Sequence, residues 1–153
     1  MMPTDYIVAS LPALAFDAAA PIGWEAFLAA VPDADRIVAG SGWADMETQL
    51  RNAAAEARGG AKYMRRASGC SLYWKNRIAA CFSEKDVAKR QDLLDKAWWD
   101  AAGELTSPVS PLGAGALATY AVRLKIALRR SAVSTEKGRA ALDRITAATK
   151  GTI

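Results

Sequence analysis

The chain has 153 residues, 52% of them hydrophobic, and a formal net charge of +4. It contains no histidine, which excludes Ser-His-Asp and Cys-His nucleophiles and His-ligated metals, because histidine is the usual base and metal ligand near neutral pH. The length suits one domain with a real core. Helix formers dominate and β-branched residues never alternate, so the expected fold class is all-α, a single-domain bundle of about six helices.

The charge is unevenly placed. Residues 1–50 carry seven acidic side chains against Arg36 alone, whereas residues 51–153 carry nineteen basic and nine acidic ones. Such a split implies packing of one half on the other, a basic face for an acidic partner, or simply a mixed solvated surface. No run of about 18 apolar residues occurs, so no transmembrane helix is expected. The stretch from Ile7 to Ala20 lacks a basic start and contains Pro12 and Asp17, so it reads as structure rather than a signal peptide.

In chain order, residues 3–12 form a short apolar segment closed by Pro12, either a strand or a single helical turn. Trp24, Phe27, Leu28 and Val31 recur at helical spacing up to Pro32. Asp33 can cap a short helix that breaks near Gly40 and Gly42. Ser41 can cap a third helix running to Arg58, with Trp43, Met46, Leu50 and Ala53/Ala54 inward and Gly59-Gly60 as its stop. The pattern from Ala61 to Phe82 fits a further helix, with Tyr63, Met64, Ala67, Trp74, Ile78 and Cys81 on one side and a possible bend at Ser68-Gly69. Cys70 and Cys81 would then sit about 16 Å apart, too far to bridge, and are read as reduced thiols, which points weakly to the cytoplasm.

Ser83 can cap the next helix through Asp86. That helix runs to Leu105 with Val87, Leu94, Ala97/Trp98, Ala101 and Leu105 as its stripe, leaving Trp99 off it. Thr106 to Leu112, with two prolines, is the one clear linker. A helix from Gly113 to Ser131 follows, lined by Leu117, Tyr120, Leu124 and Leu128, and a last one spans residues 135–149 with Ala140, Ala141 and Ile145 inward. Gly113-Ala114-Gly115 is read as a helix start rather than a phosphate cradle.

No phosphate loop, dinucleotide fingerprint or CxxC pair is present. No catalytic residue, cofactor site or metal site is assigned, and the chain is not expected to be an enzyme. The acidic pairs Asp92/Asp95 and Asp33/Asp35 are read as solvated helix faces. Two basic clusters stand out: Lys62, Arg65 and Arg66, and Arg123, Lys125, Arg129 and Arg130. Trp24, Trp74 and Trp98 fit core stripes. Trp43 and Trp99 are candidate interface aromatics, since large exposed aromatics are favoured there. Partner binding is therefore assigned to Trp43, Trp99, Arg123, Lys125, Arg129 and Arg130. A basic helical nucleic-acid-binding protein is the alternative reading.

Three segments carry a resemblance. They are Tyr6-Ile7-Val8-Ala9-Ser10-Leu11-Pro12, the acidic helix after Pro21-Ile22, and an ending of Ser110-Pro111-Leu112, Leu117-Ala118-Thr119-Tyr120-Ala121-Val122-Arg123-Leu124-Lys125-Ile126 and Glu136-Lys137-Gly138-Arg139. Together they resemble a short bacterial family associated with V-type (A/V-type) rotary ATPases and similar to a reduced ATPase C subunit. The family pattern has Asp-Pro-Phe where this chain has Ser110-Pro111-Leu112. The resemblance implies a non-catalytic coupling or assembly subunit of a V-type ATPase or ATP synthase that transports protons or sodium ions. It further implies that the chain contacts the central stalk or membrane rotor subunits on the cytoplasmic side, peripheral to the membrane and without a span of its own.

Overall fold

The computed structural model describes residues 3–60, 62, 64–65 and 71–151, with side chains through Val133. Among the described residues the fold is all-α. The helices are α1 (Thr4–Ser10), α2 (Trp24–Ala30), α3 (Ala34–Ala39), α4 (Trp43–Ala57), α5 (Leu72–Cys81), α6 (Val87–Ala102), a 3-10 turn (Gly103–Leu105) and α7 (Ala114–Gly151). The segment left open between strand and helix is therefore the helix α1.

α6 lies centrally, packed by α4, α5 and α7, while α1, α2 and α3 lie on α7. Two apolar clusters result. One gathers Leu50, Trp74, Ile78, Leu94, Ala97 and Ile126, and the other Phe27, Val31, Leu117, Ala121 and Leu124. Leu14, Ala20 and Val38 pack on both and join them. Phe27, Leu50, Ile78 and Leu124 are fully buried, each stabilising the fold by about 1.5–3 kcal/mol through removal of apolar surface from water.

Local chemistry sets the helix ends. α4 stops where Gly59 adopts a left-handed φ of 79°; the Gly60 amide then donates to Ala55 O at 2.7 Å and the Gly59 amide to Glu56 O at 3.0 Å, a Schellman closure that favours glycine. α4 starts after Gly42, also left-handed, with Ser41 Oγ accepting from the Trp43 amide at 3.3 Å. Asp33 precedes α3 without capping it, its carboxylate pairing with Arg36 at 2.8 Å instead.

Several expected boundaries move. The helix expected from Ala61 begins only at Leu72, capped by Ser71. Met64 and Arg65 lie in irregular chain and Met64 is exposed. Asn52 of α4 takes both backbone groups of Arg65, at 2.6 and 2.7 Å, and Gln49 accepts from the Ser71 amide. These bonds hold the returning strand of chain against α4 and compete with helix. Lys62 and Arg65 therefore share no helix face. Tyr63, Arg66, Ala67, the Ser68-Gly69 bend and Cys70 lie outside the described residues. Cys81 is a buried free thiol.

α6 is capped by Asp86, which accepts from the Lys89 amide at 3.1 Å, not by Ser83. Val87, placed on the inner stripe by spacing, is exposed. The two expected terminal helices are one, because residues 131–135 contain no glycine or proline to interrupt α7. Among the described residues no helix is long and apolar enough to cross a membrane.

Residues 106–113 turn the chain from α6 into α7. Thr119 Oγ1 donates to Ala102 O at 2.8 Å and accepts from Thr106 Oγ1 at 2.7 Å, which ties both ends of the turn together. Gly115 sits so close to Leu105 that an added Cβ would collide with its carbonyl oxygen and approach its carbonyl carbon to 3.2 Å. The Gly113-Ala114-Gly115 motif thus combines a helix start with close backbone contact.

Candidate functional site

The cationic row on α7, read from sequence as an open docking face, is largely engaged within the chain. Arg129 pairs with Asp95 of α6. Arg130 Nη1 donates to Asp95 Oδ2 at 3.1 Å and Asp92 Oδ1 at 3.0 Å, and its guanidinium lies 3.9 Å from the Phe16 ring centroid. Arg123 is half-buried, donates from Nε to Trp99 O at 3.0 Å and lies 5.2 Å from the Trp99 ring. Burial holds its pKa below the usual guanidinium value, against the opposing field of Asp100. Only Lys125 is exposed without a carboxylate partner among the described residues, its Nζ 4.6 Å from the Trp24 ring.

Of the acidic pair Asp92/Asp95, read as a solvated face, Asp92 is exposed as expected but Asp95 is not. Asp95 is buried and also accepts from Gln91 Nε2 at 2.9 Å. α6 and α7 carry complementary charge along their contact, which single-helix spacing did not disclose.

The two tryptophans assigned to a partner are both in the core. Trp43 is 7% and Trp99 6% exposed. Trp99 packs edge-on to Phe16 with centroids 5.6 Å apart. It fell off the α6 stripe because that stripe assumed one buried face, whereas α6 is covered from three sides. Trp74 is buried as expected, its Nε1 donating to Glu104 at 3.1 Å. Trp24 and Trp98 are only half-buried.

Trp98 belongs to one of the grooves that the described residues leave open. α4 and α7 pack on either side of α6 and α3, and a groove of about 530 Å³ runs between them. Its apolar lining includes Ala54, Leu94, Trp98, Val122 and Ile126, with Val38 of α3. Glu47, Arg51, Arg58, Lys125 and Arg129 stand along its edges. Arg51 pairs with Glu47 at 3.4 Å. Arg58 has no carboxylate partner among the described residues. It lies 5.1 Å from the Phe82 ring, which Arg90 of α6 approaches to 5.7 Å from its own position.

Arg58, Phe82, Arg90 and Trp98 were not singled out as site residues. Trp98 was legible as helical spacing but was assigned to the core. The Arg58–Phe82–Arg90 group comes from α4, the end of α5 and α6 and has no signature in linear spacing. Among the described residues no group of three or more His, Cys, Asp or Glu converges.

A second ion-pair centre lies on the far side of α6. Arg77 Nη2 donates to Asp100 Oδ2 at 2.6 Å, and Lys96 Nζ lies 3.3 Å from Oδ1. Burial alone would raise the Asp100 pKa; the Arg77 hydrogen bond and charge, aided by Lys96, outweigh it and hold the carboxyl below its usual value. This centre joins α5 to α6 and reads as structural. Comparison of the chain with protein-family models, curated proteins and solved structures finds no match to any of them.

Proposed function

We propose that this chain is a non-catalytic helical subunit that acts through protein–protein contact, in the setting of a V-type rotary ATPase or ATP synthase. The observation that carries the reading is how the resembling segments meet. Tyr6–Pro12 and Leu117–Ile126, more than a hundred residues apart, form one packed unit. Ile7, Val8 and Leu11 lie in the same apolar cluster as Leu117, Ala121 and Leu124, and Tyr120 Oη donates to Pro12 O at 2.7 Å. The two ends that resemble the ATPase-associated family thus act as one structural element.

In this role the chain sits on the cytoplasmic side, peripheral to the membrane, and couples or assembles stalk or rotor subunits. Its contact surface is the groove over α6, in place of the α7 arginines that close on Asp92 and Asp95.

The test is affinity purification of the tagged chain from gently solubilised native membranes, with co-purifying proteins identified by mass spectrometry. Near-stoichiometric recovery of nucleotide-binding and stalk subunits supports the assignment. Recovery of the chain alone, or with nucleic acid, overturns it.

A further inference from the structure

The groove over α6 combines two properties that the described residues do not neutralise. Its apolar lining includes half-buried Trp98 with Leu94 and Ile126. Its edges carry an excess of positive charge. The two acidic residues of its lining, Glu47 and the buried Asp95, are engaged by Arg51 and Arg129. Arg58 of the α4 end and Lys125 of α7 remain, and Arg90 lines an adjoining cavity that also takes in Arg58 and Leu94. Among the described residues none of these three is paired with a carboxylate.

Arg58 and Arg90 both lie on the Phe82 ring. Two like charges held at one ring repel, and an incoming carboxylate relieves that repulsion. On α4 the groove-lining positions run from Glu47 through Arg51 and Ala54 to Arg58, a helical face about 16 Å long at 1.5 Å per residue. That length matches about three turns of another helix laid between α4 and α7.

We propose that this groove docks an acidic amphipathic helix of a partner protein. The inference rests on the protein-contact role proposed above and names the partner's chemistry. The partner helix places its apolar stripe over Trp98 and Ile126, with carboxylates toward Arg58 and Arg90 and toward Lys125 of α7. A small anion would use the arginines and leave the apolar lining bare, and a nucleic-acid backbone offers no apolar stripe to cover it. Helix-in-groove recognition of this kind uses both.

Two labelled synthetic peptides test the proposal by fluorescence anisotropy. Each spans about four helical turns with leucine at i, i+3, i+4 and i+7; one carries glutamate at its other positions and the other carries lysine. The expected result is saturable binding of the glutamate peptide, at least about tenfold tighter than the lysine peptide and weakened by salt. Binding should fall about tenfold or more in Arg58→Glu/Arg90→Glu and also in Lys125→Glu, while circular dichroism shows each variant folded at the assay temperature. Lys125→Glu alters an exposed side chain and keeps the test open if the double variant folds poorly. Equal binding of the two peptides, no binding, or folded variants that bind like the parent would overturn the groove.

Membrane affinity purification repeated with Arg58→Glu/Arg90→Glu separates the two readings. ATPase subunits recovered with the parent and lost with the variant support both. Undiminished recovery with the variant removes the groove and keeps the setting. Glutamate-selective peptide binding without ATPase subunits in the purification removes the setting and keeps the groove.

Discussion

Replacing Arg130 with alanine should destabilise the fold rather than merely disturb its surface. The change removes three contacts at once: the bond to Asp95, the pair with Asp92 and the stacking on Phe16. The Asp95 side chain is 8% exposed, so the charged hydrogen bond to it falls in the range of about 1.5–3 kcal/mol. The Asp92 side chain is 67% exposed, and solvent screening reduces that pair to a few tenths of a kcal/mol. The cation–π contact adds about 0.5–1 kcal/mol. Asp95 keeps Arg129 and Gln91, so its charge is not orphaned and the low end of each range applies. The expected loss is about 2–3 kcal/mol, or roughly 5–10 °C in Tm for a chain of this size. Arg129→Ala should cost only about 1 kcal/mol, because its guanidinium is more than half exposed and Arg130 remains. Urea denaturation followed by tryptophan fluorescence measures both, and a double-mutant cycle with Asp95→Asn isolates the coupling. Loss of less than about 0.5 kcal/mol in both Arg130→Ala and Arg129→Ala would refute the assignment of α7 arginines to an internal clamp, and a larger loss in Arg129→Ala would refute the primacy of Arg130.

Gly115→Ala and Gly103→Ala should separate sharply. At Gly115 the new methyl meets only Leu105 and Thr106 backbone, and overpacking outweighs the gain in helix propensity by about 2 kcal/mol. At Gly103 it meets Arg123 Nη2 at 2.7 Å, the far end of a side chain that can swing aside, and the melt should move by less than about 0.5 kcal/mol; equal melts would refute the close approach. Tyr120→Phe removes the bond to Pro12 O and should cost about 1 kcal/mol. Hydrogen exchange should quicken selectively in α1, and uniform exchange across the chain would count against the α1–α7 tie. Asp100 titrates below its usual value in the folded chain, so its contribution is complete above about pH 5 and fades as pH falls through the folded pKa. The stability gap between the parent and Asp100→Asn should therefore narrow from pH 6 to pH 3, and a constant gap would show that the Arg77 pair contributes nothing.

The all-α class and most helix positions were legible because they follow from local periodicity and capping. Trp24, Phe27, Leu50 and Ile78 recur at helical spacing, and Gly59-Gly60 closes α4 through its left-handed residue. What was misread depends on neighbours distant in sequence. Trp99 looked spare because one stripe was assumed for α6, yet α6 is covered from three sides. Arg129 and Arg130 looked like a free basic face because Asp92 and Asp95 lie more than thirty residues earlier. The start of α5 was misplaced because Asn52 and Gln49 hold the preceding chain in irregular form. The groove was invisible for the same reason. It is a space between helices, and its Arg58, Phe82 and Arg90 come from three different places in the chain.

The order in which this fold can be assembled gives the charge split a meaning of its own. Phe27, Val31 and Ala34 find their apolar cover in Leu117, Ala121 and Leu124 of α7. During synthesis they must wait for roughly 80 further residues, which at about 5–20 residues per second takes roughly 4–16 s. Through that interval the nascent half displays aromatic and aliphatic side chains without their α7 cover. Its seven acidic groups against one arginine make neighbouring unfinished chains repel one another. Seven basic residues from Arg51 to Arg77, against Glu56 alone, bring the growing chain to neutrality well before Leu117 is made, so this repulsion acts only over the first part of the wait.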